Sequence, residues 1–217
     1  MKPDEIKIFA YVTVGLSAAI WLATIVFAGV TPLSIASLKA LNVSAGTVSI
    51  AWTIYFSWGW KQPYARRILF RPNLNGTWIG QFKSDWTGPD GAGVPPGRFV
   101  LVVRQSFFAI SVRAFSERQK TNSYVESLVC DSGRGTKFLA YLFQEKRTSN
   151  GDHGARHGAA ELDLIEDSRS RWLEGEFWTI AGTTGFVRVR QSSGQLHVES
   201  IAEAYQTWAD MKDWANV

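Results

Sequence analysis

Two apolar runs free of charged side chains, Ile8 to Val30 and Ala40 to Trp60, fill most of the first sixty residues. A helix needs about 20 predominantly apolar residues to cross the hydrocarbon core of a bilayer, so each run predicts a span and the pair predicts a two-helix transmembrane hairpin. A cleaved leader is the competing reading of the first run, because Lys2 and Lys7 precede it. Its apolar stretch exceeds the roughly 7 to 15 residues of a leader core, and no clear small-residue cleavage site follows. The second run, with Ile50, Trp52, Ile54, Tyr55, Phe56, Trp58 and Trp60, leaves no polar face for water. A helix apolar all round is buried in protein or lipid.

Basic residues orient such a hairpin. The connector Thr31 to Lys39 carries only Lys39, whereas the stretch after the second run carries Lys61, Arg66, Arg67 and Arg71. Both termini are therefore expected in the cytoplasm, and the basic linker, residues 61–72, is expected to meet anionic lipid headgroups. The lone Cys130 agrees with a reducing compartment, since a secreted domain of this size more often pairs its cysteines. A net charge of +4 spread almost evenly gives no basic stripe, so duplex nucleic acid is not expected as a partner.

The rest of the chain alternates strand-like runs with turn clusters at the spacing of an all-β barrel or sandwich. Eight strands are predicted near Gly76 to Asp85, Arg98 to Gln105, Phe107 to Ser116, Asn122 to Asp131, Thr136 to Lys146, His157 to Asp167, Arg171 to Ile180 and Gly185 to Gln191. The connectors are short, including 131–135, 149–152 and 181–184, which favours antiparallel neighbours in up-and-down order. The long exception, Thr87 to Gly97, is rich in Gly and Pro and suits a cover over one end. The expected architecture is a membrane-anchored all-β chain: spans near 8–30 and 40–60, an eight-stranded up-and-down antiparallel barrel over 73–199, and a C-terminal segment, 200–217. That segment holds a helix from Ser200 to Trp214, whose stripe of Ile201, Ala204, Tyr205, Trp208 and Met211 should dock on the barrel or plug an end.

No catalytic constellation is visible. Gly88 to Gly93 lacks the Gly-Lys-Ser/Thr ending of a phosphate loop, His153, His157 and His197 lack zinc-ligand spacing, and no G-x-S-x-G elbow occurs. Glu166-Asp167 reads as a solvated pair beside a turn. The chain is expected to bind rather than catalyse, with no cofactor and no metal. Arginines suit phosphate and aromatic faces suit bases, which singles out Arg104, Tyr141, Thr179, Arg188 and Arg190 as candidate ligand-binding residues. Alternation puts Arg188 and Arg190 on one side of their strand and groups Tyr141 with Leu139 and Phe143; for each arginine, an outward charge on a solvated wall is the competing reading. Small residues recur every four positions in both spans, Gly15, Ala19 and Ala23 and then Ala45, Ser49, Thr53 and Ser57, as helices packed closely in lipid require. They serve either the hairpin's own seam or contact between protomers.

Two short-linked spans, a basic juxtamembrane segment, the opening Leu74-Asn75-Gly76-Thr77-Trp78, the run Leu139-Ala140-Tyr141, and His157-Gly158-Ala159-Ala160-Glu161-Leu162 leading to Leu173-Glu174-Gly175-Glu176-Phe177 follow in order. In this the chain resembles the two-transmembrane, β-strand-rich effectors of cyclic-oligonucleotide-based antiphage signalling (CBASS). The resemblance implies a barrel that binds a cyclic dinucleotide second messenger, a homo-oligomer formed in response, and disruption of the bacterial inner membrane that kills the infected cell. It carries no named ligand residues onto these positions. The runner-up is a membrane-tethered, lipocalin-like carrier of a small apolar ligand, since a G-x-W opening and abundant aromatics suit that too.

Overall fold

A computed structural model describes residues 3–32, 34–62, 64, 71–88, 91–117, 119–131, 135–147, 156–168, 170–193 and 198–207. Arg66, Arg67, His153, His197 and most of the 131–135 and 149–152 turns lie outside the described residues, as does the chain beyond Thr207. The chain forms two compact units, Met1–Asn73 and Leu74–Val217.

In the first unit, α1 (Pro3–Ala28) and α2 (Ile35–Ser57) pack against each other. The second helix begins five residues before the predicted Ala40 because Ser34 caps it, its hydroxyl accepting from the Ser37 amide at 3.2 Å. The seam is polar at three levels. The Trp21 indole donates to the Ser37 carbonyl at 3.0 Å, the Ser44 hydroxyl to the Ser17 carbonyl at 2.7 Å, and the Trp52 indole to the Thr13 hydroxyl at 3.1 Å. Ser37, Ala40, Ser44 and Val48 are the residues α2 buries. The two predicted small-residue stripes are not this seam: Gly15, Ala19, Ala23, Ala45, Ser49, Thr53 and Ser57 are all exposed. Among the described residues one helix, Glu5–Ala28, is long and apolar enough to cross a membrane. Lys39, Asn42 and several hydroxyl side chains dilute α2.

The second unit is a closed barrel of β1 (Gly76–Ser84), β2 (Gly97–Gln105), β3 (Ile110–Ser116), β4 (Gln119–Asp131), β5 (Thr136–Arg147), β6 (Arg156–Glu166), β7 (Arg171–Thr179) and β8 (Thr184–Ser193), each antiparallel to the next, with β8 closing on β1. All eight predicted strands are present. The predicted start of β3 at Phe107 is corrected to Ile110. Phe107 is buried, but in a turn where the Ser106 amide donates to the Ala109 carbonyl at 2.8 Å, so its hydrophobicity reflects packing and not a strand.

Alternation sends Trp78, Leu101, Val103, Val112, Leu139, Leu162, Leu173 and Val189 inward into one apolar core. The C-terminal helix α3 (Ile201–Thr207) lies outside, on the wall made by β1, β2 and β3, so the docking alternative holds and the plug does not. Val198 and Ala204 cover Ile79, Val100, Val102 and Phe115, and the Tyr205 hydroxyl donates to the Gly80 carbonyl at 3.0 Å. Each fully covered Val or Phe removes enough apolar surface from water to contribute about 1.5–3 kcal/mol.

Candidate ligand-binding site

The two ends of the barrel differ because the sequence fills them differently. Toward the end where β1 begins, Leu74 and Trp78 are completely buried, and the Trp78 indole donates to the Leu74 carbonyl at 3.0 Å. Gly76 between them has φ 132, a backbone conformation that favours glycine. A polar latch surrounds this plug. Gln105 Oε1 accepts from the Leu74 amide at 2.7 Å, Asn75 exchanges two bonds with the Gln105 backbone at 2.7 and 2.8 Å, and Gln191 donates to the Asn75 carbonyl at 3.0 Å. Arg171 joins Gln191 at 2.9 Å to Glu166 at 2.9 Å, and Lys137 reaches Glu166 at 2.7 Å. Burial of the Glu166 carboxyl works to raise its pKa, but Lys137 and Arg171 together hold it below the usual carboxylate value. Glu166 is therefore a structural anion of the latch and Asp167 closes a turn on Ser170, both of them exposed, as expected of a solvated pair beside a turn.

At the opposite end the inner wall is lined by aromatic rings and small or polar side chains. Phe82, Phe99, Phe143 and Phe177 are half-buried and pack on the core. Phe82 stands 5.9 Å from Phe99 and 6.4 Å from Phe177, and Tyr141 stands 6.0 Å from Phe143. Three rings lie flat over inward glycines of neighbouring strands: a Cβ on Gly97 would strike Phe82, one on Gly158 would strike Phe143, and one on Gly185 would strike Phe177. Glycine at those positions lets the rings lie along the wall instead of across the lumen. The long 87–97 connector returns at this end, turned by a Gly88-to-Ala92 amide–carbonyl bond of 2.9 Å.

Between the two halves stands Tyr141, 5% exposed, its phenol pushed well above its ordinary pKa by burial and so a neutral donor. Directly opposite it across the β4–β5 ladder is Glu126. A β-bulge at Ser123/Val125 puts it there: one extra residue reverses the alternation, so Glu126 faces inward and Val125 outward. The Ser123 hydroxyl bridges the distortion, donating to Glu126 and accepting the Val112 amide at 2.7 Å. The β3–β4 ladder is also the shortest of the barrel, three residue pairs from Phe115–Lys120 to Arg113–Asn122.

Of the predicted ligand residues, Tyr141 and Thr179 face the interior, Thr179 at the aromatic end opposite Gly158. Its hydroxyl accepts from the Thr183 amide at 3.3 Å in the β7–β8 turn. Arg104, Arg188 and Arg190 face outward, opposite in alternation to Val103, Val187 and Val189. Arg188 pairs with Glu174 at 3.1 Å and lies 4.8 Å over Trp172, and Arg190 lies 5.7 Å over the same ring. The five thus form no single constellation: two belong to the lumen and three to the outer wall. Sequence reasoning missed Phe82, Phe99 and Glu126 as lumen residues. Alternation could have found the phenylalanines, but nothing in the sequence marks the bulge that turns Glu126 inward.

A small closed barrel with a latched apolar end and an aromatic, partly polar other end belongs to the class of β-barrels whose interior either fills or holds one small ligand. More particularly, residues 69–208 match the family model described as the Cap15 cyclic dinucleotide receptor domain, and the chain belongs to that family. A similar protein is CD-NTase-associated protein 15 of Escherichia albertii, 29% identical over 146 residues, which are 65% of this chain and 72% of that protein.

Proposed function

We propose that this chain is a membrane-anchored antiphage effector whose barrel takes a cyclic dinucleotide into its aromatic end, and that binding promotes homo-oligomerisation and disruption of the bacterial inner membrane. The observation that carries this reading is the cyclic dinucleotide receptor family match over the whole barrel, on a lumen closed at one end and ringed by Phe82, Phe99, Phe143 and Phe177 at the other. Bases stack on such rings, at about 1–3 kcal/mol per base. Tyr141 and Thr179 are the binding residues favoured from the lumen. Glu126 offers a carboxylate to the N–H edges of a base, and phosphates would remain nearer the rim.

In this reading α1 and α2 form a transmembrane hairpin with both termini in the cytoplasm. Its outward stripes, Gly15-Ala19-Ala23 and Ala45-Ser49-Thr53-Ser57, are spared by the intramolecular seam and so remain for packing between protomers. The ligand must bind the self-associating state more tightly than the resting one, or it shifts nothing.

Calorimetry on the full-length chain in detergent micelles, titrated with a panel of cyclic dinucleotides, tests the reading. One member of the panel should bind, and Tyr141→Ala should weaken it by about tenfold or more, in line with the loss of one ring contact. Binding by no member of the panel, together with recovery of an apolar molecule from the purified protein, would replace this reading with that of a lipid carrier.

A further inference from the structure

On β4 the inward side chains change character at the bulge. Ser123 lies opposite Phe143 and Glu126 opposite Tyr141, with Tyr124 the extra residue between the two registers. Phe143 and Tyr141 belong to the lumen, and Ser123 and Glu126 share it with them. Without the insertion, strict alternation would turn Val125 inward and leave Glu126 in water. A carboxylate half-buried among aromatic rings is costly to desolvate unless N–H or O–H donors take the place of water. The fold supplies one such donor, the Ser123 hydroxyl on Oε1. That hydroxyl is itself fixed, because it accepts the Val112 amide at 2.7 Å. Among the described residues no other hydrogen bond or ion pair reaches Glu126, so Oε2 and the second lone pair of Oε1 stay open.

Tyr141 stands beside it as a donor. Side chains directly opposite in an antiparallel ladder have Cβ atoms about 4.5–5.5 Å apart, and the Tyr141 hydroxyl makes no hydrogen bond among the described residues. Burial keeps the phenol protonated. Glu126 and Tyr141 therefore present two acceptors and a donor side by side, and Phe143, 6.0 Å from Tyr141, offers a ring for a base to stack on. Adenine's pairing edge carries an amino donor next to a ring acceptor, and uracil's carries one N–H between two carbonyls. Of the four RNA bases only guanine sets two adjacent N–H donors beside a carbonyl oxygen, the complement of acceptor, acceptor and donor.

We propose that Glu126 and Tyr141 read guanine, and that the messenger this barrel takes carries at least one guanine base. This names a base of the ligand proposed above and rests on that reading. Glu126 accepts from the guanine N1–H and 2-amino groups, and the Tyr141 hydroxyl donates to O6. Hydrogen bonds to an ionised group are roughly twice as strong as neutral ones, so Glu126 carries most of the preference.

Calorimetry on the full-length chain in detergent micelles, with all-guanine, guanine–adenine, all-adenine and all-uracil cyclic dinucleotides, tests this. The wild type should bind a guanine-containing member at least about tenfold tighter than either member lacking guanine, since a site built to hydrogen-bond a group rejects an analogue without it. Glu126→Gln keeps an acceptor for the Ser123 hydroxyl but turns an amide donor toward guanine. It should weaken the guanine-containing member about tenfold or more and leave the all-adenine member within about threefold or tighter, because a side-chain amide can pair with a donor and an acceptor of adenine. Tyr141→Phe keeps the ring and should narrow the same preference by a smaller factor, about three- to tenfold, as loss of one neutral hydrogen bond does. A wild type that binds the all-adenine or all-uracil member as tightly as any guanine-containing one overturns the guanine assignment and leaves the functional reading standing. Equal weakening of every member by Glu126→Gln overturns it too, since a carboxylate that only supports the wall would not discriminate between bases. Binding by no member defeats the functional reading, and the guanine assignment with it.

Discussion

The two halves of the barrel lumen share strands, closure and hydrogen-bond pattern, yet they are built for opposite ends. The half around Trp78 is completely buried and latched by Asn75, Gln105, Gln191 and Arg171. The half around Phe82, Phe143 and Phe177 lays its rings against glycines and includes the hydroxyls of Ser123 and Thr179 and the carboxyl of Glu126. A small barrel thus differs along its axis: interdigitated side chains close one end and supply stability, and glycine positions at the other leave room for aromatic rings along the wall, where the proposed site lies.

The strongest way to break that contrast is to hollow the closed half. Leu162→Ala, at a site with no exposure, should lower unfolding free energy by about 2–5 kcal/mol, read from tryptophan fluorescence in a denaturant series. Phe143→Leu in the other half should change it much less while weakening nucleotide binding. Equal destabilisation by the two would show that the halves are not distinct.

Glycine substitutions sharpen the comparison at a smaller scale. A Cβ on Gly175 would land on the Glu161 carbonyl, which is backbone, whereas one on Gly97 would meet only the movable ring of Phe82. Gly175→Ala should cost about 1–3 kcal/mol as overpacking, and Gly97→Ala less, with its effect falling on affinity. A denaturation series that ranks Gly97→Ala as the costlier would remove the argument that these rings give way.

The outer arginines supply the next test. If the lumen holds the ligand, Arg188→Ala and Arg190→Ala should shift affinity by less than about threefold, well below the change expected for Tyr141→Ala. Loss as large as that of Tyr141→Ala, measured by the same calorimetry, would move the site to the wall.

The smallest expected effect is the pH response of the latch. Because Glu166 is held below its ordinary pKa, its contribution to stability is complete above the unfolded carboxylate range and disappears as pH falls through the lower folded value. With the carboxylate about a third exposed, 30%, that contribution is under about 1 kcal/mol. Glu166→Gln should flatten this part of the acid limb, and an unchanged slope would mean that Lys137 and Arg171 do not stabilise the anion.

How much of this was legible in the sequence varies residue by residue. The strand containing Leu162 and Leu164 announces itself through strict alternation, as does that of Leu173 and Phe177, because a side-chain period of two needs no tertiary information. Phe107 misled, since burial in a turn and burial in a strand look alike in composition. Arg188 and Arg190 could be placed on a common side, but not related to Tyr141 three strands away, because only closure of the barrel decides which side of each strand is the lumen.

From its sequence alone this chain is two apolar helical runs followed by eight strands in up-and-down order, since run length and period are local properties written in consecutive residues. Tertiary structure alone decided that one lumen end is latched and the other aromatic, that a single extra residue near Tyr124 turns Glu126 inward, and that the small-residue stripes of the helices face away from their seam. Each of these depends on register between segments distant in the chain, and register is fixed only when the segments pair.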